Sequence, residues 1–210
     1  GVMQATKDPE FKDLVNSADL FVPDGISLVW VSKLKGRPLK RRVAGADLMW
    51  ESLKLSEKTG YGNFFYGDTP ETLEQLRIRL NRDLPNLKIS GLHSPPFREL
   101  TDEEKAQEIE MINSSGADIL WIGLGLPKQE RWIADHQRLL NVSVAVGVGA
   151  AFKFLSGTVR RAPGWIGNSG FEWLWRLLQE PKLVWRRVFL DGPRFAYQIT
   201  LELIGLRRYH

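Results

Sequence analysis

From residue 62 onward, apolar and polar positions alternate in blocks with a steady beat. GNFFYGD (62–68) is a short apolar run of the kind that fills a buried strand. TPETLEQLRIRLNRDL (69–84) predicts a helix, with Thr69 as N-cap and Pro70 at the first helical position. LKISGL is the next expected strand, and DEEKAQEIEMINSSG the next helix, acidic in its first turn where the helix dipole favours negative charge. ADILWIGLG predicts a strand, PKQERWIADHQRLL a helix with a leading proline, and VSVAVGVG an almost wholly apolar closing strand. Each strand-plus-helix unit takes about 25–30 residues, the size of a parallel βαβ winding. No motif recurs between the units, so the beat is winding and not sequence repetition.

Upstream, KDPEFKDLVNSA predicts an amphipathic helix leading into a strand at LFVP. There the apolar run LFVPDGISLVW (20–30) is interrupted by Pro23, Asp24 and Gly25. Asp24 at that position is either an N-cap for a helix begun by ISLVW or a functional carboxylate. After Gly157 the character changes: RRAPGWIGNSG predicts a hinge, and FEWLWRLLQ and PKLVWRRVFL predict two helices divided at Pro181. The expected fold is α/β: a Rossmann-like, mostly parallel sheet wound with helices over 1–158, followed by a helical appendage over 159–210.

Composition sharpens the contrast between these parts. The chain has 210 residues, enough for one sizeable core, and no cysteine, which excludes disulfides, thiolate metal sites and a cysteine nucleophile. Residues 160–210 carry nine Lys/Arg against four Asp/Glu, leaving residues 1–159 with 20 against 21 of the totals of 29 and 25. Four of the eight tryptophans, Trp165, Trp173, Trp175 and Trp185, lie in the same basic stretch. A basic, aromatic amphipathic helix suits an anionic membrane surface; phosphate binding on nucleic acid and a helical lid with a solvated face are the other readings. No recognised nucleic-acid module is present.

In wound parallel sheets, ligands sit beyond the carboxyl ends of the strands. The unusual residues gather at those expected ends: Asp24-Gly25, Gly67-Asp68, the stretch GLGLPKQE with Gly123, Gly125, Lys128 and Gln129, and GVGAAF with Gly147 and Gly149. Glycines there let a backbone approach a phosphate, or simply make tight turns. Neither Gly-x-Gly completes a dinucleotide fingerprint. His93, His136 and His210 have no partner at metal-ligand spacing and are expected to be structural or solvated. No Asp-x-Asp follows a strand, so the divalent-metal device of many nucleotide-sugar enzymes is missing.

PDGISLVW, RVAGADLMWE, FFYGD, SPPF, WIGLGLPKQERWI, VGVGAAFKFLSG, RRAPGWI and GFEWLWRLLQEP occur in an order that resembles the WecG/TagA/CpsF glycosyltransferases, glycosyltransferase family 26, over nearly the whole chain. The resemblance implies an inverting transferase that needs no metal or other cofactor and is peripheral on the cytoplasmic face of the plasma membrane. It would move a sugar, of N-acetylmannosamine type or a related hexose or uronic acid, from a UDP-sugar to an undecaprenyl-diphosphate-linked sugar. The product would feed teichoic acid, common antigen or exopolysaccharide. By the same resemblance Asp24 is the general base, Arg42 meets a substrate phosphate, Gln129 contacts the sugar or nucleotide, and Arg176 and Arg186, with Arg187 beside them, stabilise the departing UDP. Self-association could alternate with membrane contact. Two departures stand out: Lys153 occupies a position where many members carry aspartate, and relatives begin with a further strand and a Thr-Asn segment ahead of GVMQATKDPEF. The alternative expectation is a non-catalytic nucleotide-sugar-binding or scaffold protein of a polysaccharide assembly.

Overall fold

The computed structural model describes residues 2–160, 172–179, 185 and 187–203. The chain divides into two compact units, one built from residues 3–19 with 45–160, the other from 20–44 with the described part of the stretch beyond 160.

In the first unit, a short helical turn α1 (Val2–Ala5) leads to α2 (Pro9–Asn16), and α4 (Gly45–Thr59) precedes the sheet. Four strands follow, β1 (Asn63–Gly67), β2 (Ile89–His93), β3 (Ile119–Gly123) and β4 (Val144–Gly147), alternating with α5 (Pro70–Asp83), α6 (Asp102–Ser114) and α7 (Lys128–His136); α8 (Ala151–Ser156) closes the series. The strand order is β2-β1-β3-β4 and every pairing is parallel. The fold is therefore α/β, as the strand–helix beat predicts.

Strand periodicity assigns the core to two faces. Phe65 of β1 and Trp121 of β3 face Met49 and Leu53 of α4, Leu73, Leu76 and Leu80 of α5, and Phe152 of α8. Phe64, Tyr66, Leu120 and Ile122 point the other way, onto Ile112 of α6 with Trp132 and Ile133 of α7 packed against them. Both faces of the two central strands are thus covered, which is why FFY and LWI are apolar without interruption. α5 starts as expected: the Thr69 side chain accepts from Thr72 N–H and Pro70 opens the helix. α6 carries a capping box in which Thr101 and Glu104 bond each other's backbone N–H.

Three expectations are corrected. The strand at LFVP does not form; Leu20 and Phe21 are exposed, and the segment is tied by a bond from Val43 N–H to the Pro23 carbonyl instead of by a ladder. The closing strand is shorter than VSVAVGVG, and α7 ends at His136, where the Gln137–Leu140 stretch turns to reach β4. Helix α4 is absent from the pattern reading altogether.

In the second unit, α3 (Ile26–Leu34) is followed by a return stretch; α9 (Glu172–Gln179), a π-helical turn (Arg187–Asp191) and α10 (Gly192–Leu203) make up its C-terminal part. Lys35, at the end of α3, forms an ion pair with Glu202 of α10 at 2.5 Å. The expected hinge RRAPGWIGNSG beyond Arg160, and half of PKLVWRRVFL, lie outside the described residues.

Candidate active site

Because the four strands run parallel, their C-terminal ends share one rim of the sheet. Gly67 of β1 lies in register with Gly123 of β3, and Ile122 with Gly147 of β4. The glycines are needed for close approach. A Cβ on Gly67 would lie 2.8 Å from the Gly123 carbonyl carbon, one on Gly123 would lie 2.6 Å from the Phe152 ring, and one on Gly147 would strike the Gln129 amide at 2.8 Å. Gly125 and Gly149 sit at φ +77° and +54°, where other residues are strained.

Asp68 adopts φ 57°, rare for a residue with a side chain. Its Oδ1 accepts from Thr69 N–H at 2.9 Å, and its carbonyl accepts from Ser94 Oγ at 2.6 Å, which joins the end of β1 to the loop after β2. Its carboxylate therefore helps make the turn into α5.

Gln129 is buried, and its amide is engaged inside the protein. Oε1 accepts from Gly149 N–H at 2.9 Å and Nε2 donates to Glu130 Oε1 at 2.8 Å. Gln129 thus staples the start of α7 to the turn after β4. Lys128, beside it at the start of α7, is exposed.

Sequence reading missed a polar cluster at the end of β2. Glu108 of α6 is 6% exposed, and it accepts from the Tyr66 hydroxyl and pairs with His93 Nε2 at 2.8 Å. The Tyr66 ring stacks on His93 and tilts against Trp132. Burial first, and then the Glu108 carboxylate, push the Tyr66 hydroxyl well above the usual tyrosine value. The available signal was the spacing of Glu108 beside Ile109 and four residues before Ile112, on the buried face of α6. His93 is held within this cluster, and His136 stacks its ring on Trp132 while its Nδ1 meets the Trp132 carbonyl at 2.7 Å. His210 lies outside the described residues.

In the second unit, Asp24 precedes α3, but it does not cap it. The N-cap is Gly25, with no side-chain bond, so the capping reading fails. The Asp24 side chain is 63% exposed. Arg42 donates from Nε to the Asp24 carbonyl and places Nη2 3.5 Å from Asp24 Oδ1. The guanidinium thus lies on the aspartate. Arg176 falls in α9 and Arg187 opens the π-helical turn, their side chains outside what is described; Arg186 lies outside the described residues. Among the described residues no three His, Asp or Glu side chains gather as metal ligands, and no helix is long and apolar enough to cross a membrane.

A wound parallel sheet with a glycine rim suits a phosphate-bearing ligand. The sequence model of the glycosyl transferase WecG/TagA/CpsF family matches residues 1–209. A protein of Bacillus spizizenii named N-acetylglucosaminyldiphosphoundecaprenol N-acetyl-beta-D-mannosaminyltransferase is 35% identical over 92% of this chain and 72% of its own length. Proteins of the same name from Bacillus subtilis and Staphylococcus aureus are 30% identical over 94% of this chain and 75% of their length, and 32% over 95% and 76%, respectively. With a match across nearly the whole sequence and the expected sheet beneath it, the chain belongs to the WecG/TagA/CpsF family and is a glycosyltransferase.

Proposed function

We propose that this glycosyltransferase moves an N-acetylmannosamine-type sugar from its UDP conjugate to the sugar of an N-acetylglucosaminyl-diphospho-undecaprenol acceptor, with inversion and without a metal ion. The observation that carries the substrate class is the shared name of relatives matched over more than nine-tenths of the chain. The missing Asp-x-Asp supports the metal-free reading.

In the proposed reaction the Asp24 side chain takes the proton of the acceptor hydroxyl as that oxygen attacks the anomeric carbon. The bond from the anomeric carbon to the UDP oxygen breaks on the opposite face, UDP carries away the electron pair, and the configuration inverts. Gly125, with open space around it, lets the backbone approach the diphosphate, while the close-packed Gly67, Gly123 and Gly147 and the hydrogen-bonded Gly149 shape the rim, with Asp68 shaping the turn and Lys128 adding charge. Arg176, Arg186 and Arg187 balance the charge developing on UDP, the task a metal performs elsewhere. Gln129 supports the rim through Gly149.

The described part of the C-terminal stretch exposes Leu174, Leu178, Trp185 and Phe189 in a basic sequence context, which favours residence on an anionic membrane surface facing the UDP-sugar pool.

The test is release of UDP from a panel of UDP-sugars with EDTA present, using a short-chain lipid-diphosphate-N-acetylglucosamine acceptor. Acceptor-dependent release from the N-acetylmannosamine donor is expected, and Asp24→Asn should lower it roughly 10²–10⁴-fold, the usual contribution of a general base. An Asp24→Asn enzyme as fast as the parent would reject the assignment of the base, and release abolished by EDTA would reject metal independence.

A further inference from the structure

The return stretch after α3 ends as a clamp on the residues that precede that helix. Ser32 Oγ accepts from Leu39 N–H at 3.0 Å and Arg37 N–H donates to the Ser32 carbonyl at 2.9 Å, so the chain is turned back on α3 as it leaves it. It then meets its own beginning. Val43 N–H donates to the Pro23 carbonyl at 2.9 Å, and Arg42 reaches the next residue twice, from Nε to the Asp24 carbonyl and with Nη2 3.5 Å from Asp24 Oδ1. The two partners differ sharply in exposure: the Arg42 side chain is 19% exposed, whereas that of Asp24 is 63% exposed.

We infer that Arg42 is a positioning residue for Asp24, holding both the backbone and the carboxylate of the base, and is not primarily a ligand for substrate phosphate. A phosphate-binding arginine presents its planar fork outward, where two parallel N–H groups can meet two oxygens. Arg42 instead commits Nε to a backbone carbonyl of its own chain, and its guanidinium is largely covered. Asp24 has no anchor in a regular element, because Gly25 is the N-cap of α3 and Gly25 is conformationally free. Without the guanidinium, the carboxylate would sample many directions from an exposed loop. A misplacement of about 1 Å at a catalytic group can cost roughly 10²-fold in rate. This inference rests on the assignment of Asp24 as the base.

Steady-state kinetics with the full chain separate the two roles. Arg42→Ala is expected to lower kcat by roughly 10²-fold, with KM for donor and acceptor each within about twofold of the parent. The double variant D24N/R42A should be no slower than D24N alone, because a residue that acts through the base has nothing left to hold. Arg42→Lys should recover part of kcat, since an ammonium reaches the carboxylate but cannot reproduce the guanidinium's two contacts. A KM for either phosphate-bearing substrate raised tenfold with kcat intact would overturn the inference in favour of phosphate binding. So would a double variant slower than D24N by the full Arg42→Ala factor.

If D24N is as active as the parent, it is the base assignment that fails, a different result from either of these. A measurement independent of turnover stands beside the kinetics. Amide hydrogen exchange over residues 20–31 should quicken about tenfold in Arg42→Ala while the sheet is unchanged, and unaltered exchange would overturn the clamp itself.

Discussion

At Gly67 the added atom of any other side chain would lie 2.8 Å from the carbonyl carbon of Gly123 and 3.0 Å from its oxygen, at a φ of +117°. The neighbours are backbone atoms of the adjacent strand and cannot swing aside. Strain at such a φ costs about 1–3 kcal/mol, and forced overpacking about as much again. Gly67→Ala is therefore expected to lower stability by about 2–6 kcal/mol in urea unfolding, and Gly60→Ala, also at positive φ but with open space around it, by visibly less. Equal losses would show that backbone conformation alone, and not the approach of the two strands, sets the requirement. The sequence offered Gly67 as a residue of the rim, but not its partner, because register between strands that lie far apart in the chain has no local signature. The same holds for Gln129. Its position at the start of a helix was legible, whereas the hydrogen bond to Gly149 that turns it inward depends on two turns meeting in space.

Among the elements, α6 has the most completely specified beginning. Thr101 and Glu104 bond each other's backbone, and Arg98 grips Glu104 with two short bonds at 2.6 and 2.7 Å. The Arg98 guanidinium, and after it the Thr101 N–H, hold the Glu104 carboxyl down to about 2 from an ordinary 4.5. A carboxyl with a depressed folded value stabilises the helix above its unfolded value and loses that contribution as the pH falls. The window here runs from pH 4.5 to about 2. Carbon-13 titration of Glu104 should give a midpoint near the lower figure, and Arg98→Ala should move it upward; a parent midpoint near 4.5 would discard the grip.

α5, with its Thr69 cap and leading Pro70, and α6, with its acidic first turn, were legible in the sequence for those reasons. α4 was missed because it opens on Gly45 and Ala46 without a side-chain cap, although its buried Ala46, Met49 and Leu53 keep helical spacing. LFVP misled in the opposite direction. An apolar run predicts burial in a sheet only if a neighbouring strand is there to pair with it, and its backbone is met by a return loop instead.

At the scale of the whole molecule, packing groups 20–44 with the stretch beyond 160, although the helical pattern suggests a simple boundary near residue 158. The Lys35–Glu202 ion pair is one tie within that unit. Deletion of residues 161–210 is expected to leave the parallel sheet folded and cooperative, while exchange over 20–44 rises and glycosyl transfer is lost. Hydrogen exchange read by peptide mass against the full chain checks this, and full protection of 20–44 in the shortened protein would refute the grouping. The family-level pattern of motifs made the enzyme class legible. It could not show that the segment bearing Asp24 packs with the end of the chain, because nothing in LFVPDGISLVW encodes a partner so distant.

That grouping has a consequence for the order in which a ribosome makes the molecule. The sheet can grow as it emerges: β1 appears first and is central, β2 adds to one side of it, β3 to the other and β4 beyond. Residues 20–44 are synthesised before any strand, yet their packing partners follow the whole sheet. The segment can make its own Arg42 and Val43 bonds early, but its packing must wait for residues beyond 160. A nascent polypeptide that has just completed β4 therefore already has the whole sheet, while residues 20–44 still lack the packing partners that group with them.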